Sequence, residues 1–232
     1  MGINVPLIIY THSDYKDVWK LLFGQLKKYL PNQKVYVLSD SNAEEIPSNY
    51  TTIVYDDSKV YTDRLKQCLS QINEDVVLFQ HEDMVLFNEP KFELFDKYID
   101  YVKNEMVDSV KLIYVQENDV VSELDSTLIS NSYSKFSIQP TLIKLKNFVS
   151  LLDSTEPLNI WDFELAVPAE GKHYMVRLGD EKKRGLYHSD SIIYPYIATA
   201  ITKGKWNYGE YSFEFDKLFN EYGIIPFERG IS

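Results

Sequence analysis

Residues 76–87 read VVLFQHEDMVLF, two apolar runs (76–79 and 84–87) around the polar cluster Gln80, His81, Glu82 and Asp83. A short apolar run bounded by charge is the pattern of a buried strand, so the acids stand at a strand's carboxyl end. In open α/β sheets the crevice outside those ends is where ligands bind. Two neighbouring carboxylates there repel each other unless a cation lies between them. A divalent metal carrying a phosphorylated ligand would supply that cation, because hard cations take oxygen ligands. The competing reading of the same residues is a strand end in a solvated turn, with both acids facing water.

Upstream, the pattern repeats. Residues 5–10 read as a strand, and Thr11, His12, Ser13 and Asp14 as the turn after it, with Ser13 or Asp14 placed to cap a helix. Tyr15, Val18, Trp19, Leu22, Leu26, Tyr29 and Leu30 then recur at helical spacing as far as Pro31. Strand patterns at 34–38 and 51–55 end in Ser39, Asp40, Ser41 and in Asp56, Asp57, and a helix over about 62–72 leads into the central strand. Strands alternating with helices predict parallel βαβ units with right-handed crossovers. The expected fold is therefore α/β and Rossmann-like, one domain with a mostly parallel central sheet flanked by helices. Neither GxGxxG nor GxxxxGK[ST] occurs, so phosphate is to be held without a glycine loop of either kind.

Downstream, Asn88, Glu89 and Pro90 start a helix whose apolar face is Phe92, Phe95, Ile99 and Val102. A strand follows at 109–115. The polar, irregular stretch 117–133 is expected to be a mobile loop or a short hairpin over the site. A short strand at 135–139, a helix through Leu142, Leu145, Val149 and Leu152, and a short helix at 157–167 containing WDFE come next. Residues 172–178 alternate like a strand, 181–185 form a charged turn, and a terminal helix over about 213–222 stops at Gly223.

The net charge of −11 argues against a general footprint for nucleic acid or an anionic membrane, so no nucleic-acid partner is expected. The single cysteine, Cys68, excludes an internal disulfide and falls at a core spacing with Leu65, Leu69 and Ile72. The amino-terminal residues lack the basic region of a signal peptide, Pro6 stands where a myristoylation signal needs Ser or Thr, and the longest weakly charged run, 191–202, is too short for a transmembrane segment. A cytoplasmic protein is the expectation.

The succession IIYTHSDYKDVWKLLFGQLKKYLP, VYVLSDS and YTDRLKQCLSQI running into VVLFQHEDMVLF resembles the start of GT-A-type nucleotide-sugar glycosyltransferases, of the small kind met in bacterial polysaccharide clusters and large viruses. FSIQPTLIKLKNFVSLL, NIWDFE and YIATAITKGKW are similar to the acceptor half of the same family. The resemblance divides the chain at about residue 87 into a nucleotide-binding half and an acceptor half, residues 88–232. It implies transfer of a sugar from a nucleoside diphosphate-sugar donor to a hydroxyl acceptor on a glycan, by an inverting route with a divalent cation, Mn²⁺ or Mg²⁺. The family's acidic metal motif is replaced here by HEDM, so Glu82 and Asp83 correspond as the acidic pair and His188 as the family's late metal-binding histidine.

A departing diphosphate needs a metal or a preorganised set of cations. Arg64, Lys203 and Lys205 are the candidates, with Thr11 and Asp40 assigned to the nucleotide. An inverting transfer needs a carboxylate base, and Asp162 and Glu164 are the candidates; on a helix they lie on different faces, so one of the two is expected to reach the reacting centre. Trp161 is read as core or as a platform for the acceptor sugar. Two other classes of function fit parts of the pattern. A nucleotidyltransferase shares the Rossmann-like half but wants a glycine-rich loop where THSDYKD stands, and a non-catalytic carbohydrate- or nucleotide-binding module accounts for the altered acidic motif.

Overall fold

The computed structural model describes residues 2–115, 120–130, 137–167, 171–185 and 188–232. Its first part alternates β1 (Leu7–Tyr10), α1 (Lys16–Tyr29), β2 (Val35–Ser39), β3 (Thr51–Val54), α2 (Tyr61–Leu69) and β4 (Val76–His81). The second contains α3 (Phe92–Lys103), β5 (Ser109–Lys111), β6 (Val120–Val121), β7 (Leu128–Ser130), β8 (Thr141–Lys144), α4 (Leu145–Asp153), α5 (Ile160–Ala166) and β9 (His173–Val176). Two small hairpins, β10 (Lys183–Arg184) with β11 (His188–Ser189) and β12 (Ile201–Thr202) with β13 (Lys205–Trp206), precede α6 (Tyr208–Tyr222) and α7 (Pro226–Arg229).

Among the described residues β1 to β9 form one sheet in the order β3-β2-β1-β4-β8-β5-β9-β7-β6. The α/β architecture with a mostly parallel central sheet is the one the alternation predicts. β3, β2, β1 and β4 are parallel neighbours, and β5 runs parallel to β9. β8 lies antiparallel between β4 and β5. The central strands are buried along their whole length, β1 and β4 without an exposed residue, as expected of strands covered on both faces. Cross-strand partners share a face and successive side chains alternate. Phe79 therefore points to one side, where it meets Phe148 of α4, and α4 and α5 both pack on α2. Gln80 points to the other, where Tyr194 bonds it at 2.8 Å and Phe95 of α3 meets Tyr194.

α1 buries Val18, Trp19, Leu22 and Leu26 as its spacing predicts, each worth about 1.5–3 kcal/mol when fully withdrawn from water. Its Gly24 permits a close approach by α6: a Cβ there would stand 2.2 Å from the Tyr222 ring, which Gln25 Nε2 fixes by donating to its hydroxyl at 3.1 Å. Gly24→Ala should lower Tm in the parent, because the overlap outweighs a helix-propensity gain of about 1 kcal/mol. In a Tyr222→Ala background the same change should raise it, and a cycle of four melting curves checks both signs.

Three expectations are corrected. Leu142 belongs to β8 and not to the helix, which begins at Leu145; residues 138–140 before it are bends, 137 is irregular, and 135–136 lie outside the described residues. Within 117–133 the described residues form the β6–β7 hairpin, but it extends the edge of the sheet farthest from β3 and does not cover the ends of β1, β2 and β4. The charged turn at 181–185 is half of a hairpin held by a buried arginine, Arg184.

Candidate functional site

The ends of β1, β2 and β4 lie side by side, so Thr11, Asp40 and the Glu82–Asp83 pair emerge along one edge of the sheet. Thr11 is fully buried; its hydroxyl accepts from Trp19 Nε1 at 2.6 Å, and its carbonyl accepts from the Tyr55 hydroxyl at 2.7 Å. Asp40 accepts from the Ser13 N–H at 2.7 Å and the Ser13 hydroxyl at 2.5 Å. Burial works against its charge, but these bonds hold its carboxyl below the usual value. His12 caps the short 3-10 turn Ser13–Tyr15 by accepting from the Asp14 N–H. Its Nε2 lies 3.7 Å from Asp40 and 3.4 Å from Asp57.

Arg64 continues this network. Its guanidinium pairs with Asp57 at 2.9 Å, reaches the Tyr10 hydroxyl at 3.4 Å and lies over the Tyr55 ring. Tyr10 and Tyr55 stack 5.2 Å apart at 6°. Asp40 and Arg64, 24 residues apart in sequence, are thus brought to one polar cluster beside an aromatic wall, through a histidine to which the sequence assigned no partner.

The acidic turn forms the second cluster. Glu82 is buried, and burial followed by the charge of Asp83 pushes its carboxyl well up, while the Thr11 hydroxyl pulls it partly back. The Asp83 carboxyl is also pushed up by burial, with the Ile201 N–H acting against that. The late segment clamps this turn by backbone bonds: Phe87 N–H to Pro195, Ile197 N–H to Val85 and Ala200 N–H to Asp83, at 2.8–3.0 Å. It continues into the β12–β13 turn, where Lys203 (φ 51°) and Gly204 (φ 77°) are both left-handed, a conformation glycine adopts without strain. Lys203 and Lys205 are exposed on this hairpin.

Arg229, which the sequence reading passed over, is brought by tertiary folding near enough to the acidic turn for its charge to act on Glu82. It pairs with Asp17, donates to the carbonyls of Asp14 and Gly204 at 3.0 and 3.4 Å, and lies over the rings of Tyr15 and Trp206. Its charge favours ionisation of Glu82. His188 is placed elsewhere. Its Nε2 lies 3.1 Å from the Tyr211 hydroxyl and 3.8 Å from Glu210, and its ring stacks on Tyr211. Among the described residues no three of His, Cys, Asp and Glu converge at metal-binding distance, so Glu82, Asp83 and His188 are not gathered into one ligand set.

The third cluster separates the two acids of WDFE. Asp162 is exposed and tied to its own helix cap: its N–H donates to Asn159 Oδ1 at 3.0 Å, and Asn159 Nδ2 donates to its carboxylate at 2.6 Å. Glu164 turns inward and accepts from the Ile138 N–H at 2.5 Å. Its charge is felt by Tyr61 and by the buried Lys111. The Tyr61 hydroxyl shares a 2.9 Å hydrogen bond with Nε2 of His81, whose pKa burial pushes down to about 3. Trp161 and Leu165, one turn apart on α5, are both largely exposed, at 71% and 79%. Lys111 also escaped the sequence reading; the available signal was a lone lysine inside the apolar strand pattern at 109–115.

No family model matches the sequence, and no curated protein matches it. Among solved structures, the chain is similar to the bifunctional IspDF of Campylobacter jejuni (19% identity, 78% of this chain and 52% of that one, TM-score 0.45). It is also similar to residues 1–349 of S. aureus TarS (13% identity, 94% and 64%, TM-score 0.49). A third is 2-C-methyl-D-erythritol 4-phosphate cytidylyltransferase of Thermus thermophilus (8% identity, 72% and 84%, TM-score 0.43). The chain thus spans about half the length of the IspDF protein and 64% of the TarS segment. At these values the likeness assigns no activity.

Proposed function

We propose that the chain is an inverting glycosyltransferase that uses a nucleoside diphosphate-sugar donor and a hydroxyl acceptor on a glycan. The observation that carries this reading is the clamped acidic turn. Two neighbouring carboxylates, the buried Glu82 and the half-buried Asp83, stand at the carboxyl edge of the parallel strands, in the same region as the polar cluster around Asp40 and the half-buried carboxylate of Glu164. The cluster of Asp40, His12 and Arg64, with Thr11 behind it and the buried Tyr10–Tyr55 stack beneath, offers polar groups to a nucleoside. Arg229, with Lys203 and Lys205 on the adjoining hairpin, supplies positive charge for the diphosphate.

A divalent cation fits Glu82 and Asp83, because the burial and mutual repulsion that push both carboxyls up are relieved by positive charge. Such an ion would stabilise the departing diphosphate. His188, engaged with Tyr211, stands outside this pair. Glu164 is the base: it faces the interior, whereas Asp162 is spent on its cap. Trp161, largely exposed on α5, is the platform on which an acceptor sugar stacks in this reading.

A thermal-shift series with nucleoside diphosphates, free nucleosides as controls, and manganese or chelator tests this. A ligand at 100 times its Kd adds about 2.7 kcal/mol of stability, so a diphosphate should shift Tm clearly and its nucleoside much less. Asp83→Asn should remove the manganese-dependent part of the shift and leave the chelator value unchanged. Equal shifts with manganese and chelator in the parent remove the metal from the reading, and the absence of any diphosphate shift overturns it.

A further inference from the structure

Lys111 closes β5 and has no task in the reading above. In register it partners Thr141 of β8, which partners Phe79 of β4, so it lies on the same face as Phe79 and His81. The residue is 7% exposed. Among the described residues no hydrogen bond or ion pair reaches its amine, and the polar side-chain atoms sealed from solvent without a partner are Gln25 Oε1 and Trp206 Nε1 alone. The amine, almost withdrawn from water, keeps a small accessible area at the carboxyl edge of the sheet. Burial pushes its pKa down to about 8 against the favourable charge of Glu164. That carboxylate bonds the Ile138 N–H instead.

Withdrawing a cation from water with no bonded counter-ion costs stability, and an anionic ligand removes that cost. β5 stands two strands beyond β4, about 10 Å from it at ordinary strand spacing, on the side away from the nucleoside cluster. Arg229, Lys203 and Lys205 are the cations assigned to the donor diphosphate, so it does not need Lys111. We propose that Lys111 binds an oxyanion carried by the acceptor, a carboxylate or phosphate on its sugar, beside the hydroxyl that Glu164 deprotonates. The acceptor is thus an acidic glycan. This rests on the glycosyltransferase reading and adds the class of acceptor to it.

The test is titration of the whole chain with methyl glucoside, methyl glucuronide and glucose 6-phosphate, in the parent, Lys111→Met and Lys111→Arg. The parent should bind at least one charged sugar about tenfold or more tightly than the neutral one, and the two charged probes separate carboxylate from phosphate. Lys111→Met should erase that preference without changing affinity for the neutral glycoside or for nucleoside diphosphates, and Lys111→Arg should keep part of it. Lys111→Met should also raise Tm, by about 2–4 °C, since it removes a buried charge that no bonded counter-ion meets. Equal affinity of the parent for charged and neutral sugars overturns the proposal, as does a preference that survives in Lys111→Met. A Lys111→Met protein with lower Tm identifies the lysine as a structural partner of Glu164, and one with weakened diphosphate binding identifies it as a donor contact; either result also overturns the proposal. Failure of the glycosyltransferase reading is seen separately, as absence of nucleoside diphosphate binding in all three proteins.

Discussion

Glu164→Gln should bind nucleoside diphosphate as the parent does and transfer sugar about 10² to 10⁴ times more slowly, the range that removal of a general base covers. Asp162→Asn should cost no more than a few-fold. The two acids differ by two positions on α5, and that offset places them on different faces. Asp162 is exposed and bonded to Asn159. Glu164 faces the interior, with its carboxylate on the Ile138 N–H and its charge felt by Tyr61 and Lys111. Glutamine keeps an acceptor oxygen for Ile138, so the local structure should survive and the lost proton acceptor is what the rate reports. Initial rates and diphosphate titrations on both variants decide it. Parental turnover by Glu164→Gln would move the base to another residue, and a matching loss of diphosphate affinity would make Glu164 a binding group.

Arg184→Met should be the most destabilising single change in the carboxyl-terminal part of the chain. Arg184 is 9% exposed and holds three partners: Nε donates to both carboxylate oxygens of Asp190 at 2.9 and 3.0 Å, Nη1 donates to the Glu210 carbonyl at 3.0 Å, and Nη2 pairs with Glu214. Its guanidinium also lies over the Tyr211 ring, at the kink in α6. Removing it leaves Asp190 and Glu214, with side chains 15% and 10% exposed, without the counter-ion they share. Breaking a buried pair from one side costs about 3–5 kcal/mol, and at about 2–4 °C per kcal/mol for a chain of this size Tm should fall by roughly 6–20 °C. Arg184→Lys should recover only part of this, because one ammonium cannot make the forked contacts. Urea and thermal unfolding measure both. A loss below about 1 kcal/mol in Arg184→Met would show that water or a rearranged loop takes over the two acids.

Wherever hydrophobic period and turn chemistry are local properties, the sequence alone determined the outcome. The apolar run at 76–79 became β4 and its acids came to the strand's carboxyl end; α1 buried the face its spacing marked out; and Gly223, in the left-handed conformation (φ 60°), ends α6. These depend on residues within one or two turns of each other. Leu142 marks where that reach ends. TLIK carries only two apolar residues, Leu142 and Ile143, too short a run to tell a strand from the start of a helix, and only a place between β4 and β5, with antiparallel bonds on both sides, makes it β8. The sites depend still more on tertiary structure. Periodicity says that a side chain is buried or exposed but not what it meets, because partners distant in sequence leave no local signature. Arg229 finds Asp17 across 212 residues, His12 comes between Asp40 and Asp57 only once β1, β2 and β3 pair, and Glu164 meets the N–H of Ile138, 26 residues away. The acidic pair was legible in the sequence; the cations and hydrogen bonds around it were decided by the packing of the two halves of the chain.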